Sequence, residues 1–261
     1  MTRYAGSCPI GLNILFFACC SIVFFSTINA LADKCSQGSH FVRAHPRSAY
    51  ERADGVFVSA THVTEHCREN PPGYSFWKKH VKNLFPSDWP RKDEKSRKWS
   101  TEEIERLLDA LSSLPDELLR SKIRGIFRMK RSRDFPNPAS TTPGTIVLYD
   151  DAFSDKRNLA RVLAHELLHE YFRGMTKNDA ESYRMTTNWY RFGDADGKVR
   201  WITRGRDSFV ENDGMTSPDE DFANNVEYFL FERNKLKTTT PNAEGWISRR
   251  FGPGFRLRGA K

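Results

Sequence analysis

The feature that most constrains this chain is a run of helix-forming residues that carries two histidines one helical turn apart. The run extends from Leu159 to Arg173 without glycine or proline, and it contains the motif H-E-x-x-H from His165 to His169. Residues four apart lie on one face of an α-helix, about 40° from each other. The pattern predicts a buried helix with two imidazoles pointing the same way, where one tetrahedral metal ion can bind both.

Glu166 gives the histidine pair a chemical role. A carboxylate beside two metal-binding histidines can take a proton from water and act as a general base. The other interpretation is a helix whose two histidines and glutamate merely face solvent. Apolar neighbours, among them Leu163, Leu167 and Phe172, favour the metal site.

The third metal ligand must come from elsewhere in the chain. Phe172 and Met175 stand where the glycine and third histidine of H-E-x-x-H-x-x-G-x-x-H would be, which excludes that arrangement. A second helix is predicted after Ser217, a good N-cap, with Pro218 in its first turn. The carboxylates that this turn offers, among which residue type alone does not choose, are those of Asp219, Glu220 and Asp221.

The two segments together resemble the gluzincin zinc metallopeptidases. His165-Glu166-x-x-His169, followed by Glu220-Asp221-Phe222-Ala223, is similar to the branch that includes the catalytic domain of anthrax lethal factor. The resemblance implies a peptidase with one Zn²⁺ per chain, bound by His165, His169 and Glu220. It also implies Glu166 as general base and Asn224, one turn after Glu220, as a residue that orients a ligand.

The fold implied by the resemblance is an α+β, zincin-like domain. It has a small mixed sheet, an active-site helix and a second helix that carries the glutamate ligand. The strand before the active-site helix, Thr145 to Tyr149, is expected at the sheet edge, where an extended substrate pairs with it. One departure concerns the tyrosine that often stabilises the oxyanion about two turns before the ligand glutamate. The segment from Ser208 to Gly214 has none, which leaves Tyr183, Tyr190 or an arginine.

The N-terminus reads as an export signal. Met1 to Ala32 has one basic residue, an apolar stretch from Ile14 to Ile28 and a small-x-small cleavage site. An uncleaved membrane anchor is the alternative, but the apolar stretch is short for a bilayer span. Removing 32 of the 261 residues leaves 229, with a formal charge of +7 instead of +8 and two cysteines. In an exported, periplasmic or secreted protein, Cys35 and Cys67 predict one disulfide.

Composition divides the chain into five segments. They are a signal peptide (1–32), a small β-rich N-terminal unit (33–75), a basic linker (76–99), the zincin-like metallopeptidase domain (100–232) and a basic, irregular C-terminal tail (233–261). The linker interleaves tryptophans with lysines, a pattern that suits anionic polymers. Export disfavours nucleic acid as the partner.

Local patterns predict the elements around the motif. A helix capped by Ser100 or Thr101 is followed by a second helix from Pro115 that places Ile126 and Phe127 on its apolar side. The basic segment from Arg120 to Arg133 is expected to be exposed, and Phe135 to Gly144 is expected to be a loop. Further on, Asp194 to Gly197 predicts a hairpin turn and Val199 to Ile202 a returning strand.

The expected function is that of an exported zinc metallopeptidase acting on a peptide or protein substrate. Two alternatives stay open. One is a zinc amidase or endopeptidase that acts on cell-wall peptides, since the positive charge suits an anionic wall or membrane surface. The other is a non-catalytic binding protein with a zincin fold, although the intact Glu166 disfavours a purely structural zinc site.

Overall fold

The computed structural model describes residues 35–42, 44–47, 50–51, 57–82, 95–131, 137–154, 157–193, 198–205 and 208–258. The chain forms two compact units, Met1–Asn70 and Pro71–Lys261. The predicted signal peptide (1–32) and the predicted turn at 194–197 lie outside the described residues. Among the described residues, no helix combines the length and the apolar character needed to cross a bilayer.

The first unit consists of short antiparallel strand pairs. Its strands are β1 (Ser39–Val42), β2 (His45–Arg47), β3 (Tyr50–Glu51), β4 (Phe57–Val58), β5 (Thr61–Val63) and β6 (His66–Glu69). The pairs β3–β4, β2–β5 and β1–β6 are nested, which is the pairing of one long, interrupted hairpin. The predicted disulfide is confirmed: Cys35 is bonded to Cys67 on β6.

The first unit is crosslinked by the Cys35–Cys67 disulfide. No side chain whose exposure is described between residues 35 and 70 is buried. The disulfide joins cysteines 32 positions apart, and a crosslink of that span stabilises a folded chain by about 3–4 kcal/mol in the chain-entropy account. The crosslink therefore contributes to the stability of this unit.

The second unit is a mixture of helices and small sheets. Its strands are β7 (Val81–Lys82), β8 (Gly125–Arg128), β9 (Ala139–Thr142), β10 (Thr145–Leu148), β11 (Trp189–Gly193) and β12 (Val199–Thr203). Its α-helices are α1 (Tyr74–His80), α2 (Thr101–Ser113), α3 (Asp116–Leu119), α4 (Leu159–Gly174), α5 (Lys177–Thr186), α6 (Pro218–Phe231), α7 (Arg233–Thr239) and α8 (Pro241–Phe251). Short 3-10 helices are formed by Asp150–Phe153 and Asn212–Met215. The expected α+β class is therefore correct at this level.

The main sheet has the strand order β7-β8-β10-β9. Strand β8 runs parallel to β7 and β10, whereas β9 is antiparallel to β10 and lies at the edge. The segment 135–144 was expected to be a loop and β10 the edge strand, and both predictions are wrong. The two residues Pro143 and Gly144 turn the chain between β9 and β10, and Gly144 has a φ of +76° that suits glycine. The turn lets the Ser- and Thr-rich segment pair with β10.

Two predicted elements on either side of the sheet also differ. The helix from Pro115 is a single turn, Asp116–Leu119, and Ile126 and Phe127 lie on β8. The chain stays extended there because β8 is buried and hydrogen-bonded between two neighbours. Arg128, in the segment expected to be exposed, has a side chain only 1% exposed, paired with Glu103. The first helix is as predicted, since Ser100 and Glu103 form a capping box.

The segments predicted to be a linker (76–99) and an irregular tail (233–261) both contain regular elements that pack in the larger unit. Within the segment 76–99, most of α1 and the strand β7 belong to the larger unit, and α1 packs on α2. The tail was expected to be irregular, but α7 and α8 lie within it and pack on α6 or on each other. The tail is held by the apolar side chains it buries, which are those of Leu236, Ala243, Trp246, Ile247 and Phe255.

An aromatic cluster joins the helices that carry the motif residues. Phe222 on α6 lies with its ring centroid 5.0 Å from Phe172 of α4 and 5.1 Å from Tyr183 of α5. Tyr183 in turn lies 5.2 Å from Trp246 of α8. Phe222 and Tyr183 are fully buried, so this packing fixes the start of α6 against the end of α4. That contact determines where the carboxylates of α6 lie relative to the histidines.

Candidate metal centre

The helix α4 presents both histidines of the motif. It begins at Asn158, whose side chain accepts hydrogen bonds from the backbone nitrogens of Ala160 and Arg161. Its apolar side is buried, with Leu163, Leu167 and Leu168 fully inaccessible. The helix therefore has one orientation, and His165 and His169 lie on its remaining face towards α6.

The helix α6 presents the third candidate ligand. Ser217 caps it as predicted by accepting a hydrogen bond from the Glu220 nitrogen, and Pro218 occupies the first position. Glu220 lies in the first turn, while the next two turns are buried against the core. The cap and the core packing together hold this carboxylate beside α4.

Three side-chain atoms converge on one point. The Nε2 atoms of His165 and His169 lie 3.2 Å apart, and Glu220 Oε2 lies 3.4 Å from the first and 3.5 Å from the second. Three atoms bonded at about 2.0–2.1 Å to one ion in tetrahedral geometry lie about 3.3 Å from each other. The triangle has that size, so His165, His169 and Glu220 could hold a metal ion. Of the three carboxylates left open by residue type, the structure brings Glu220 to this point.

A carboxylate lies at the other ring nitrogen of each histidine, and the one at His165 is hydrogen-bonded. Glu227 Oε2 accepts a hydrogen bond from His165 Nδ1 at 2.9 Å, and Asp219 Oδ1 lies 3.1 Å from His169 Nδ1. Because an ionised carboxylate only accepts, His165 Nδ1 is the donor to Glu227, which leaves His165 Nε2 available to bind an ion. Such carboxylate–histidine pairs are the usual support of a metal-binding imidazole.

These two carboxylates were not assigned from the sequence. Glu227 is seven residues after Glu220, and at about 100° per residue the two lie within about 20° of each other on one helix face. The seven-residue spacing from Glu220 is the sequence pattern that predicts Glu227 on the same face of the helix. Asp219 was considered as a ligand, but it contacts the outer nitrogen of His169 instead of the triangle.

The side chain of Asn224 forms no hydrogen bond to either histidine or to the Glu220 carboxylate among the described residues. Its side-chain nitrogen donates a hydrogen bond to Asp213 Oδ1 at 2.6 Å. Asp213 lies in the 3-10 helix Asn212–Met215, which packs on α6. Asn224 therefore ties this short helix to α6, whereas Glu227 is the residue of α6 that is hydrogen-bonded to the outer ring nitrogen of His165.

Glu227 is linked to a second charge. Arg161, one turn before His165, donates hydrogen bonds to Glu227 and Glu232, and its guanidinium lies 4.5 Å from the ring centroid of Tyr228. Burial alone would lower the pKa of Arg161, but the two carboxylates outweigh burial and raise it. Arg161 thus stays charged, and it fixes the carboxylate that in turn fixes His165.

The charged groups of the triangle shift one another's pKa values. Burial lowers the pKa of His165, but the carboxylates of Glu220 and Glu227 reverse that effect and raise it well above its usual value. Burial likewise raises the pKa of Glu220, while the hydrogen bond from His165 outweighs burial and lowers it. Two imidazoles and two or more carboxylates are thus gathered in one largely buried place, as at sites that hold a cation.

Glu166 is held from the edge strand. Its carboxylate is buried, and Oε2 accepts a hydrogen bond from the hydroxyl of Thr141 on β9. One helical turn later, Glu170 Oε2 accepts a hydrogen bond from the Gly144 nitrogen at 3.1 Å. Two glutamates of α4 therefore fasten the β9–β10 hairpin, one at the strand and one at its turn.

Tyr183 and Tyr190, the tyrosines considered for oxyanion stabilisation, make contacts with other parts of the protein. The Tyr183 hydroxyl is buried and donates to Asp221 Oδ2 at 2.9 Å, which also accepts a hydrogen bond from Trp189. Asp221 is therefore part of a structural network and not a third ligand. Tyr190 is exposed on the β11–β12 hairpin, where the guanidinium of Arg204 lies over its ring.

The chain matches no protein-family model, no curated protein and no solved structure. The chemistry of this centre is therefore inferred from its own side chains. They provide two nitrogen donors and one carboxylate donor around a single point, a carboxylate against each outer ring nitrogen, and a separate buried carboxylate at Glu166.

Proposed function

We propose that this protein is a zinc-dependent metallopeptidase of the gluzincin type. The observation that carries the proposal is the triangle formed by His165 Nε2, His169 Nε2 and Glu220 Oε2, whose sides measure 3.2–3.5 Å. Two histidines and one glutamate are the protein ligands of many catalytic zinc sites, which keep the fourth position for water or substrate. A purely structural zinc site is normally closed by four protein ligands.

Zinc is favoured over other ions by the donor set. Calcium and magnesium prefer six or more oxygen ligands, whereas the triangle provides two imidazole nitrogens and one oxygen. The carboxylates of Glu227 and Asp219 behind the rings favour tight binding of such an ion. When bound, zinc supplies a Lewis acid that lowers the pKa of water towards about 7 and polarises a carbonyl oxygen.

Glu166 carries the proton transfers. Its carboxylate, held by Thr141, accepts a proton from the water that attacks the carbonyl carbon of the peptide bond. The same proton is returned to the nitrogen of the leaving amine as the C–N bond breaks. Burial of Glu166 keeps its carboxylate away from bulk water and limits its orientation.

The arrangement of β9 supports a peptide as the substrate. It is the edge strand of the main sheet and pairs on one side with β10, while its other side is not paired with any described strand. An extended peptide can add to such an edge through backbone hydrogen bonds. Since Thr141 on β9 contacts Glu166, a peptide bound along this edge would lie beside the general base. The zincin-like fold is part of this proposal.

Export is proposed together with the activity. The Cys35–Cys67 disulfide is of the kind that persists in oxidising compartments. Together with the signal-like N-terminus, the disulfide supports a secreted or periplasmic peptidase.

Cleavage of a diverse peptide library by the zinc-loaded protein tests the proposal. The matched variant is Glu166→Gln, which keeps the shape and the Thr141 contact but cannot take a proton. We expect fragments with the parent protein, none after removal of zinc by a chelator, and a loss of roughly a hundredfold or more in kcat for the variant with unchanged zinc content.

Two results would contradict the proposal. Full activity in a zinc-loaded Glu166→Gln protein would exclude this base. A folded, zinc-loaded parent that cleaves no peptide would favour a non-catalytic binding protein.

A further inference from the structure

A cavity of about 430 Å³ lies beside the candidate metal centre. It is bounded by the last turn of α4, by α5 and by Asp219 at the start of α6. Asp219 Oδ1 is also the atom that lies 3.1 Å from His169 Nδ1. Asp219 therefore lines the cavity and also lies against the outer ring nitrogen of His169, so the cavity adjoins a ligand of the proposed metal centre.

The charged residues that line the cavity are mostly basic. Arg173, Lys177 and Arg184 contribute three positive charges, against one carboxylate from Asp219. That carboxylate is already engaged, since it faces His169 and lies 3.8 Å from Arg173. Arg173 also pairs with Glu170 and Arg184 with Glu181, so Lys177 is the base of the lining that has no ion pair among the described residues.

Two of the three bases, Lys177 and Arg184, have donors without a partner among the described residues. Lys177 is exposed and forms no ion pair with any described residue. Arg184 donates from Nη1 to Glu181, but its Nε is buried and has no hydrogen-bond partner among the described residues. A buried donor without a partner is unfavourable, and a substrate oxygen that reached it and accepted from it would relieve that cost.

The arginine is held in place before any ligand arrives. Its guanidinium carbon lies 4.7 Å from the ring centroid of Trp201 on β12 and 5.6 Å from that of Phe172 on α4. Such contacts stabilise a guanidinium and restrict its motion. The donor is therefore preorganised, which reduces the entropy lost on binding.

The rest of the wall is apolar. Phe172 and Ala180 are buried, and Met175 is partly buried beside them. The cavity thus combines an apolar wall, which suits a short methylene chain, with basic groups, which suit a carboxylate. A glutamate side chain has both parts, and the overall charge of +8 attracts anionic substrates towards the protein.

We propose that this cavity is a specificity subsite that binds an acidic side chain of the substrate, with Lys177 and Arg184 as the residues that recognise its carboxylate. The proposal rests on the peptidase function proposed above, since it names the substrate class of the same centre. A free C-terminal carboxylate has the same chemistry, and the experiment separates the two.

The test uses peptides of one sequence with both ends blocked, in which each position in turn is Glu, Gln or Lys. We expect one position at which Glu raises kcat/KM roughly tenfold over Gln, the size of one charged contact that excludes water. In Lys177→Glu this preference should disappear or change to Lys. The matched control is Lys237→Glu, which makes the same charge change at an exposed lysine outside the cavity and should keep the preference for Glu.

Calorimetry separates the subsite proposal from the peptidase proposal. It measures the binding of the same peptides to the zinc-loaded Glu166→Gln protein. If no peptide is cleaved but the Glu peptide binds more tightly than the Gln peptide in a Lys177-dependent manner, the peptidase function fails and the subsite stands. Cleavage with equal rates for Glu and Gln at every position overturns the subsite alone. A preference that appears only when the C-terminus is unblocked also overturns it, in favour of a terminal carboxylate.

Discussion

The hydroxyl of Thr141 on the edge strand donates a hydrogen bond to the carboxylate of Glu166 on the motif helix. These residues are 25 positions apart in sequence, and they join the element expected to bind substrate to the residue expected to move the proton. In the proposed mechanism, Thr141 positions Glu166 without contacting the substrate's reacting bond.

Replacing Thr141 with Val tests this positioning role. Valine keeps the shape and the β-propensity but removes the donor, so the carboxylate of Glu166 can rotate away. We expect kcat to fall roughly tenfold, as for the loss of one charge-assisted hydrogen bond, with KM and zinc content nearly unchanged. Thr141→Ser should restore most of kcat. A Val variant with the parent's kcat and pH profile would show that the contact has no role in catalysis.

The carboxylates behind the histidines should control metal affinity. Glu227→Gln removes the charge of the acceptor at His165 Nδ1, and Asp219→Asn removes the charge that lies 3.1 Å from His169 Nδ1. We expect zinc affinity to fall by about 10–100-fold in either variant. Asn224→Ala is the matched control on the same helix, because Asn224 bonds Asp213 and not a ring nitrogen. Competition with a chromogenic chelator measures the zinc affinity of all three variants. Equal losses of zinc affinity in the three variants would indicate a general effect on α6. They would argue against a specific role of the Glu227–His165 and Asp219–His169 contacts.

A buried ion cluster stabilises the end of β8. Arg128 contacts both Glu103 and Asp150 with a side chain that is only 1% exposed. Arg128→Met leaves Glu103 without its buried partner, and we expect the free energy of unfolding to fall by about 3–5 kcal/mol in urea titrations. Arg97 contacts the same two carboxylates but is 44% exposed, so Arg97→Met should cost less than about 1 kcal/mol. Similar losses in the two variants would contradict this assignment.

His80 predicts a loss of stability in mild acid. Burial lowers its pKa, the hydrogen bond from Nδ1 to the Phe76 carbonyl oxygen partly offsets this, and Lys79 and Lys82 lower it further. The unfolded chain therefore binds a proton near pH 6.5 that the folded chain binds only at lower pH. The free energy of unfolding should accordingly fall as pH drops below about 6.5, with a smaller slope in His80→Asn. Parallel pH profiles for the two proteins would exclude His80 as the source.

Local sequence signals were sufficient for the helices of the centre. The caps at Ser100 and Ser217 and the uninterrupted run around His165 act within one or two helical turns, so the sequence alone specifies them. Glu220 was placed by resemblance, and the structure brings it to both histidines. Glu227 lies two turns after Glu220, beyond the single turn that links Glu220 to Asn224, and its contact with His165 depends on how α6 packs against α4.

Local sequence patterns do not predict the edge strand of the main sheet or the helices of the C-terminal tail. Strand β9 has only four residues, and its strand character comes from pairing with β10 and from the contact between Thr141 and Glu166. Likewise, Trp246 and Phe255 are distributed among basic residues, and their burial depends on side chains far away in sequence. Tertiary contacts of this kind override composition.

The most direct measurement is X-ray absorption at the zinc edge of the protein loaded with one equivalent of zinc, beside a titration that counts the bound ions. We predict one ion per chain, two imidazole nitrogens and one or more oxygens at about 2.0–2.1 Å, and no sulfur. The Glu220→Ala variant should lose an oxygen ligand and most of its affinity. A site with sulfur, with fewer than two imidazoles, or with unchanged affinity in Glu220→Ala would contradict the centre described here.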